Sequence, residues 1–431
     1  MPPSDPSAAY KLLYYAYADL GEEGRARVCL ALQAPAHPSL SGQLRVGLDG
    51  VNCSLGGPRH ALEAHAAAVA ALPDLSPAGA IDFKYAPLLA TRAGLPAAAF
   101  AAYRVLAVEE IVTLGAAARG ERAQGAARHA PPAEFHALLT GAAASAQGSV
   151  LIDCRNAFES DIGTLVPAQG SNLSLLRPPV RRFEDMVAWT EAHAEALARA
   201  PRIAMFCTGG VRCERYSALV RSRFPGADVV QLEGGVQRYM EAAEAGALAG
   251  PPAGGAAAQE QPPLAAAAAG SSAAPSRWQG RLYVFDERPA VHVAGEAAAG
   301  SNPHLPGVRG ACAACSAPQD EYTGHRCARC RVLVLVCGQC AGGEAAAAAA
   351  GQQLVCGMCR QGVAWERART RVRGRRARQA RPDKAAEAAA RRAAGGAGRG
   401  GSEEDSAAAA AETALGGLFG EEAEEGLAEE A

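Results

Sequence analysis

The sequence predicts an α/β protein in three parts, followed by a polar tail. Three observations carry that expectation. Short apolar runs alternate with helical stretches up to residue 247, a Gly/Pro/Ala/Ser-rich stretch spans 248–276, and four C-x-x-C pairs follow it. Strand–helix alternation of this kind builds sheets covered by helices.

Taken in order, residues 8–115 hold "LLYYAYADL", "QLRVGLDGVNCSLGG" and "YRVLAVEEIVTLG", with a helical pattern over Arg59–Leu72 between the last two. Gly50, Gly56 and Gly57 suit a strand, a turn and a second strand. Asn52 reads as a turn asparagine and Cys53 as a packed thiol. Residues 130–247 hold three short apolar runs, "SVLIDCRN", "RIAMFC" and "DVVQLEGG", each before a helical pattern. That order predicts a parallel sheet with helices on both faces, whose ligands lie at the carboxyl ends of its strands. Asp153, Cys207 and Glu233 fall there. Residues 248–276 read as a flexible linker and 277–360 as a cysteine-rich zinc-binding region. From Arg367 the chain is basic and from Glu403 acidic, so 361–431 read as a disordered tail.

Composition excludes little. The formal net charge of -2 over 431 residues names no partner, and the 49% hydrophobic content is inflated by alanine runs. No apolar stretch is long enough to span a membrane, and no secretory signal is visible. Cysteines in C-x-x-C spacing, without such a signal, point to a reducing intracellular compartment, with the cytoplasm expected and an organelle left open.

The loop after "RIAMF" carries the chemistry. In "FCTGGVRCER", Cys207 follows a buried-strand pattern and "ERYSALVRSRF" begins a helix. Backbone N–H groups at a helix start favour negative charge, and two glycines let several of them face one point. A thiolate there has a lowered pKa. The loop residues Thr208, Gly209, Gly210, Val211, Arg212 and Cys213 therefore read as an active-site cradle for Cys207. Arg212 lies five positions on, a C-x4-R spacing that suits sulfur better than the longer phosphate loop. Arg215, Arg221 and Arg223 add positive charge. Asp153, Arg155 and Glu159 form a supporting polar group, read mainly as helix cap and ion pair. Cys213 is equally a resolving thiol or a packed one.

The pairs Cys312/Cys315, Cys327/Cys330, Cys337/Cys340 and Cys356/Cys359 offer eight thiolates, enough for two closed structural zinc sites. Sequential and interleaved pairing both fit. His325 and His304 are not needed as ligands.

The runs "VLIDCRNAFE", "FCTGGVRCERYSA" and "VVQLEGGVQRY" resemble a rhodanese domain, and more narrowly that of the tRNA uridine hydroxylase family. "YYAYADL", "LRVGLDGVNCSLGG", "DFKYAP" and "VEEIVTLG" look like that family's N-terminal ferredoxin-like domain, and "WQGRLYVFDERPAV" like its post-rhodanese motif. The likeness runs from about Tyr10 to Cys359. It implies that Cys207 is the catalytic, persulfide-forming or otherwise reactive residue, and that the substrate is the wobble uridine of tRNA, hydroxylated at C5 in an oxygen-dependent reaction. Between Phe158 and Trp189 the chain departs from the family pattern, and that stretch is expected to wall the site. A sulfurtransferase acting through a Cys207 persulfide is the alternative, and a non-enzymatic zinc-module scaffold the second. If tRNA binds, Arg212, Arg215, Arg221 and Arg223 are expected to hold its phosphates, with non-specific help from the basic stretch Arg367–Arg381.

Overall fold

A computed structural model describes residues 9–88, 100, 102–115, 125–141, 146–249, 275–284, 308–342 and 354–363. The expected linker lies almost wholly outside the described residues, as does the tail from 364 on. His304 lies outside them too.

The first sheet comes from β1 (Ala9–Tyr17), α1 (Gly21–Leu32), β2 (Ser41–Gly47), β3 (Gly50–Pro58), α2 (Arg59–Ala70), β4 (Lys84–Pro87) and β5 (Tyr103–Ala107). Its strand order is β4-β1-β3-β2-β5. The first four strands are antiparallel, a ferredoxin-like arrangement, and β5 adds parallel to β2. Alternation sorts the side chains of β1. Leu12, Tyr14 and Ala16 enter the core with Val28, Leu32, Leu62 and Val69, whereas Leu13, Tyr15 and Tyr17 take the opposite face. The turn between β2 and β3 is made by Leu48 and Asp49. Asn52 therefore sits inside β3 and is not a turn residue, while Cys53 is packed in the core as expected.

The second sheet follows from β6 (Arg128–Ala130), α3 (Pro132–Thr140), β7 (Ser149–Asp153), α4 (Ala157–Ile162), β8 (Gly163–Leu165), β9 (Leu173–Leu176), α5 (Asp185–Ala192), α6 (Ala194–Ala198), β10 (Arg202–Phe206), α7 (Val211–Arg223), β11 (Asp228–Leu232) and α8 (Gly235–Glu244). Its order is β6-β11-β10-β7-β9, all parallel. Ile152, Ile203 and Met205 pack into a core on one face and Leu151, Ala204 and Phe206 into a core on the other, which is why these strands read as unbroken apolar runs.

After the linker the chain returns to this unit. β12 (Trp278–Gly280) pairs antiparallel with β8, and Trp278 joins the core that holds Phe206. The cysteine-rich segment then packs on α4, where Ala157, Phe158 and Ile162 share an apolar cluster with Tyr322, Val332, Leu335 and several of the cysteines. Among the described residues no helix is long and apolar enough to cross a membrane.

Candidate active site and metal centres

β10 ends at Phe206, and Cys207 to Gly210 carry the chain into α7. The start of α8 shapes this loop. Val236 N–H donates to the Cys207 carbonyl at 2.9 Å and Gln237 N–H to the Thr208 carbonyl at 3.0 Å. With its carbonyls held there, the loop turns N–H groups toward the sulfur, and Gly210 N–H donates to Cys207 Sγ at 3.2 Å. Two glycines are required by contact as well as by curvature. At Gly235, with φ at 67°, a Cβ would lie 2.6 Å from the Thr208 oxygen and 2.7 Å from that of Cys207. At Gly210, with φ at 102°, it would lie 2.8 Å from the Tyr15 hydroxyl.

Burial pushes the Cys207 thiol up, but it is outweighed by the hydrogen bond from the Cys213 thiol, the Arg212 charge, and the N–H groups of Cys213 and Gly210. The result is about 6. Burial also raises Cys213, as do its contacts with Cys154 and Cys207, so Cys213 stays protonated and donates. Its geometry is that of a packed thiol serving the Cys207 sulfur.

Arg212 forms a bidentate pair with the fully buried Glu159 at 2.5 and 2.7 Å and donates to Thr208 Oγ1 at 3.1 Å. Glu159 in turn closes the capping box of α4 by accepting from Asn156 N–H at 3.0 Å. Asp153 and Arg155 form a second buried pair, at 2.8 and 2.6 Å, which also engages Thr164 and the Gly163 carbonyl. Cap and ion pair are thus the roles these three supporting residues take.

The remaining arginines are engaged elsewhere. Arg215 pairs with Glu110 at 2.8 Å, Arg221 donates to the carbonyls of Gly125 and Ala126, and Arg223 pairs with Glu191. Of the four arginines only Arg212 lines the cavity beside the loop. The expected phosphate grip is therefore corrected, since these guanidinium groups bind the protein's own acids and carbonyls.

That cavity has a volume of about 150 Å³. The second unit contributes Thr208, Gly209, Val211 and Arg212, together with Arg182, Phe183 and Glu184 from the stretch that departs from the family pattern. The first sheet contributes Leu13, Tyr15, Arg45 and Asn52. Docking of the two is fixed by Tyr15 OH, which donates to Glu214 at 3.0 Å, and Tyr17 OH, which donates to the Val211 carbonyl at 3.0 Å. Cys207 is fully buried and lies behind the cavity wall rather than in it.

Tyr15, Arg45 and Asn52 join the site from the first sheet, with no motif in the sequence that assigns them to it. A signal was present in "KLLYYAY", a strand apolar on both faces, which calls for a second packing partner. Glu110 was missed because its partner Arg215 lies 105 positions away.

The eight cysteines form two groups of four thiols, each able to hold a metal ion: Cys312, Cys315, Cys337 and Cys340, and Cys327, Cys330, Cys356 and Cys359. The pairing is interleaved. Within the groups, Cys315 and Cys337 Sγ lie 3.6 Å apart, as do Cys330 and Cys356 Sγ. Tetrahedral Zn–S bonds of about 2.3 Å set neighbouring sulfurs about 3.8 Å apart, so the thiols present fit such an ion. Backbone N–H groups support them, with Cys337 N–H on Cys312 Sγ at 3.4 Å and Cys356 N–H on Cys327 Sγ at 3.3 Å. The two knuckles repeat one another. The bridges Ala311–Pro318 and Arg326–Leu333 match, and Ser316 and Arg331 both have positive φ. His325 belongs to neither group.

A rhodanase C-terminal family model matches residues 279–361. The chain is 30% identical over 335 residues to rhodanese-like domain-containing protein 6 of Arabidopsis thaliana, an alignment covering 75% of this chain and 48% of that protein. It thus spans about half the length of that relative. It is 32% identical over 266 residues to the tRNA uridine(34) hydroxylase of Jannaschia sp. (strain CCS1), covering 61% of this chain and 70% of the relative. With the protein of the same name from Synechococcus sp. (strain CC9902), identity is 31% over 311 residues, covering 71% and 83%.

Proposed function

Because the chain belongs to the tRNA uridine(34) hydroxylase family, we propose that it hydroxylates the wobble uridine of tRNA at C5, in an oxygen-dependent reaction with Cys207 as its reactive residue. The observation that supports this reading is the Cys207 sulfur, held by Gly210 N–H at 3.2 Å behind the wall of a cavity lined by both sheets, with Arg212 and Cys213 lowering its pKa to about 6. At neutral pH it is a thiolate, the form in which a cysteine acts. Thr208 to Cys213 form its cradle. Asp153, Arg155 and Glu159 position that cradle without touching substrate. Zinc is the metal proposed for both four-thiol groups. Its closed coordination leaves no open position, so it supplies folding energy and not catalysis. The same reading divides the chain into units at 8–115, 130–247 and 277–360.

The test is mass spectrometry of tRNA from cells lacking this protein. Complementation with the wild type restores 5-hydroxyuridine-type wobble nucleosides carrying ¹⁸O from labelled dioxygen, and Cys207→Ser does not restore them. Unchanged nucleoside profiles would sink the proposal.

One observation favours a second reading. A thiolate sealed behind the cavity wall is more easily reached by a small sulfur donor than by a base. Robust transfer of sulfane sulfur from thiosulfate to cyanide by the purified protein, with unchanged tRNA, would select the sulfurtransferase.

A further inference from the structure

We infer that Arg181 is a positioning residue, through which the wall of the Cys207 cavity depends on the second four-thiol group. The inference rests on the proposed readings of that cavity as the reaction site and of the thiols as a zinc centre.

Arg181 lies between β9 and α5, in a short run whose members have different tasks. Val180 and Phe183 pack in the core that holds Cys207, and Arg182, Phe183 and Glu184 line the cavity. The Arg181 side chain goes elsewhere. Its Nη2 donates to Cys359 Sγ at 3.5 Å and to the Val363 carbonyl at 3.1 Å, and the guanidinium also hydrogen-bonds Cys330. One residue thus joins the cavity wall to a sulfur 178 positions away. The backbone of the run is tied together as well. Asp185 Oδ2 accepts from the Arg181 N–H at 3.0 Å and from the Arg182 N–H at 3.1 Å. A displacement of Arg181 is therefore passed to Arg182 and on to the wall.

The chemistry makes this link depend on the thiol group being complete. Four thiolates around one divalent ion leave a net negative charge. In the second group three of the four cysteines are buried, against one in the first, so water offsets that charge poorly and a buried cation must help. Arg181, only 6% exposed, is placed to do so. A hydrogen bond from a guanidinium to an anion is charge-assisted and directional, so it fixes the side chain as well as compensating the charge. When the group is broken, the guanidinium loses its anionic partner in a buried position, and turning out to solvent relieves the cost. The run that turns with it is the cavity wall. This route is separate from the packing of α4 on the cysteines, because Arg181 reaches the sulfurs directly.

The test uses the full chain and hydrogen exchange resolved to single amides by mass spectrometry. It compares wild type, Arg181→Met, Cys359→Ala and the double variant. Protection of the Arg182 amide is expected to fall about tenfold in each single variant, the size of a lost hydrogen bond to a charged group. The double variant should fall no further than either, because both changes cut the same link. The Ser160 amide, bonded to the Asn156 carbonyl in α4, is the control. It should loosen in Cys359→Ala, which disturbs the packing on α4, and hold in Arg181→Met, a contrast that general loosening would not give. Iodoacetamide should label Cys207 faster in Arg181→Met than in wild type, with Arg181→Lys, which keeps the cation, between the two. Unchanged protection of Arg182 in Arg181→Met overturns the inference, and so does a double variant in which the two losses multiply. If a variant does not fold, wild type decides the matter. Protection of Arg182 that survives withdrawal of metal by a chelator overturns the inference, and a fall in step with metal loss upholds it. The two underlying readings fail separately, the zinc centre by a chain that purifies without metal and the hydroxylase by unchanged tRNA nucleosides in cells lacking the protein.

Discussion

At the scale of single residues, Cys207 is governed by groups whose effects have known signs. Arg212 and the Cys213 thiol lower its pKa, against burial. Titration of thiolate ultraviolet absorbance, read as the difference between wild type and Cys207→Ser, should give a midpoint near 6. Arg212→Gln and Cys213→Ala should each move the midpoint up. The folded value lies below the roughly 8.5 of an unfolded cysteine. The stability contributed by the ionised sulfur is therefore present above that unfolded value and lost as pH falls through about 6. Cys207 and its glycines were legible because a strand, a thiol, two glycines and a helix start occupy consecutive positions. The roles of the arginines were not legible, since a guanidinium looks the same in sequence whether it faces a phosphate or the buried Glu110.

Among the elements, α4 is the intermediary. One side of it holds Glu159 against Arg212, and Phe158 beside it accepts from Tyr322 OH at 2.7 Å through its carbonyl and packs edge-on to the Tyr322 and Tyr283 rings. Glu159→Gln leaves the buried Arg212 charge without its counter-ion, at a cost of about 3 kcal/mol in a denaturant titration. It should also shift the Cys207 midpoint down, because the carboxylate no longer offsets Arg212. The two variants thus move one observable in opposite directions, which general loosening of the fold would not do. The parallel sheet was readable from its apolar runs. β12, three residues long, was not, because so short a pairing is set by β8 and by the Trp278 pocket and not by its own pattern. Interleaving of the cysteine pairs was equally hidden, although the fifteen-residue offset between "ACAAC" and "RCARC" hints that two equivalent knuckles each await a second pair.

For the whole molecule, the first sheet meets the second unit at the start of α7, beside the Cys207 loop, and the two four-thiol groups lie behind α4. Elemental analysis should find about two zinc ions per chain. Cys327→Ala should lose one of them and lower the melting temperature, and through α4 it should raise the solvent reactivity of the Cys207 loop. Full zinc content with an unchanged melting temperature in that variant would disprove the link. The Tyr17–Val211 contact, which closes the loop against the first sheet, joins positions 194 apart. During translation β1 finds its sheet partner β3 early, but Tyr17 must wait for about half of the chain before it meets Val211, and α4 waits longer still for the cysteines that end at 359. Until then the cavity beside Cys207 lacks the wall that Leu13 and Tyr15 supply. A fragment that stops short of Cys356 therefore carries the Cys207 loop but leaves α4 without half of the thiols that complete the second group behind it.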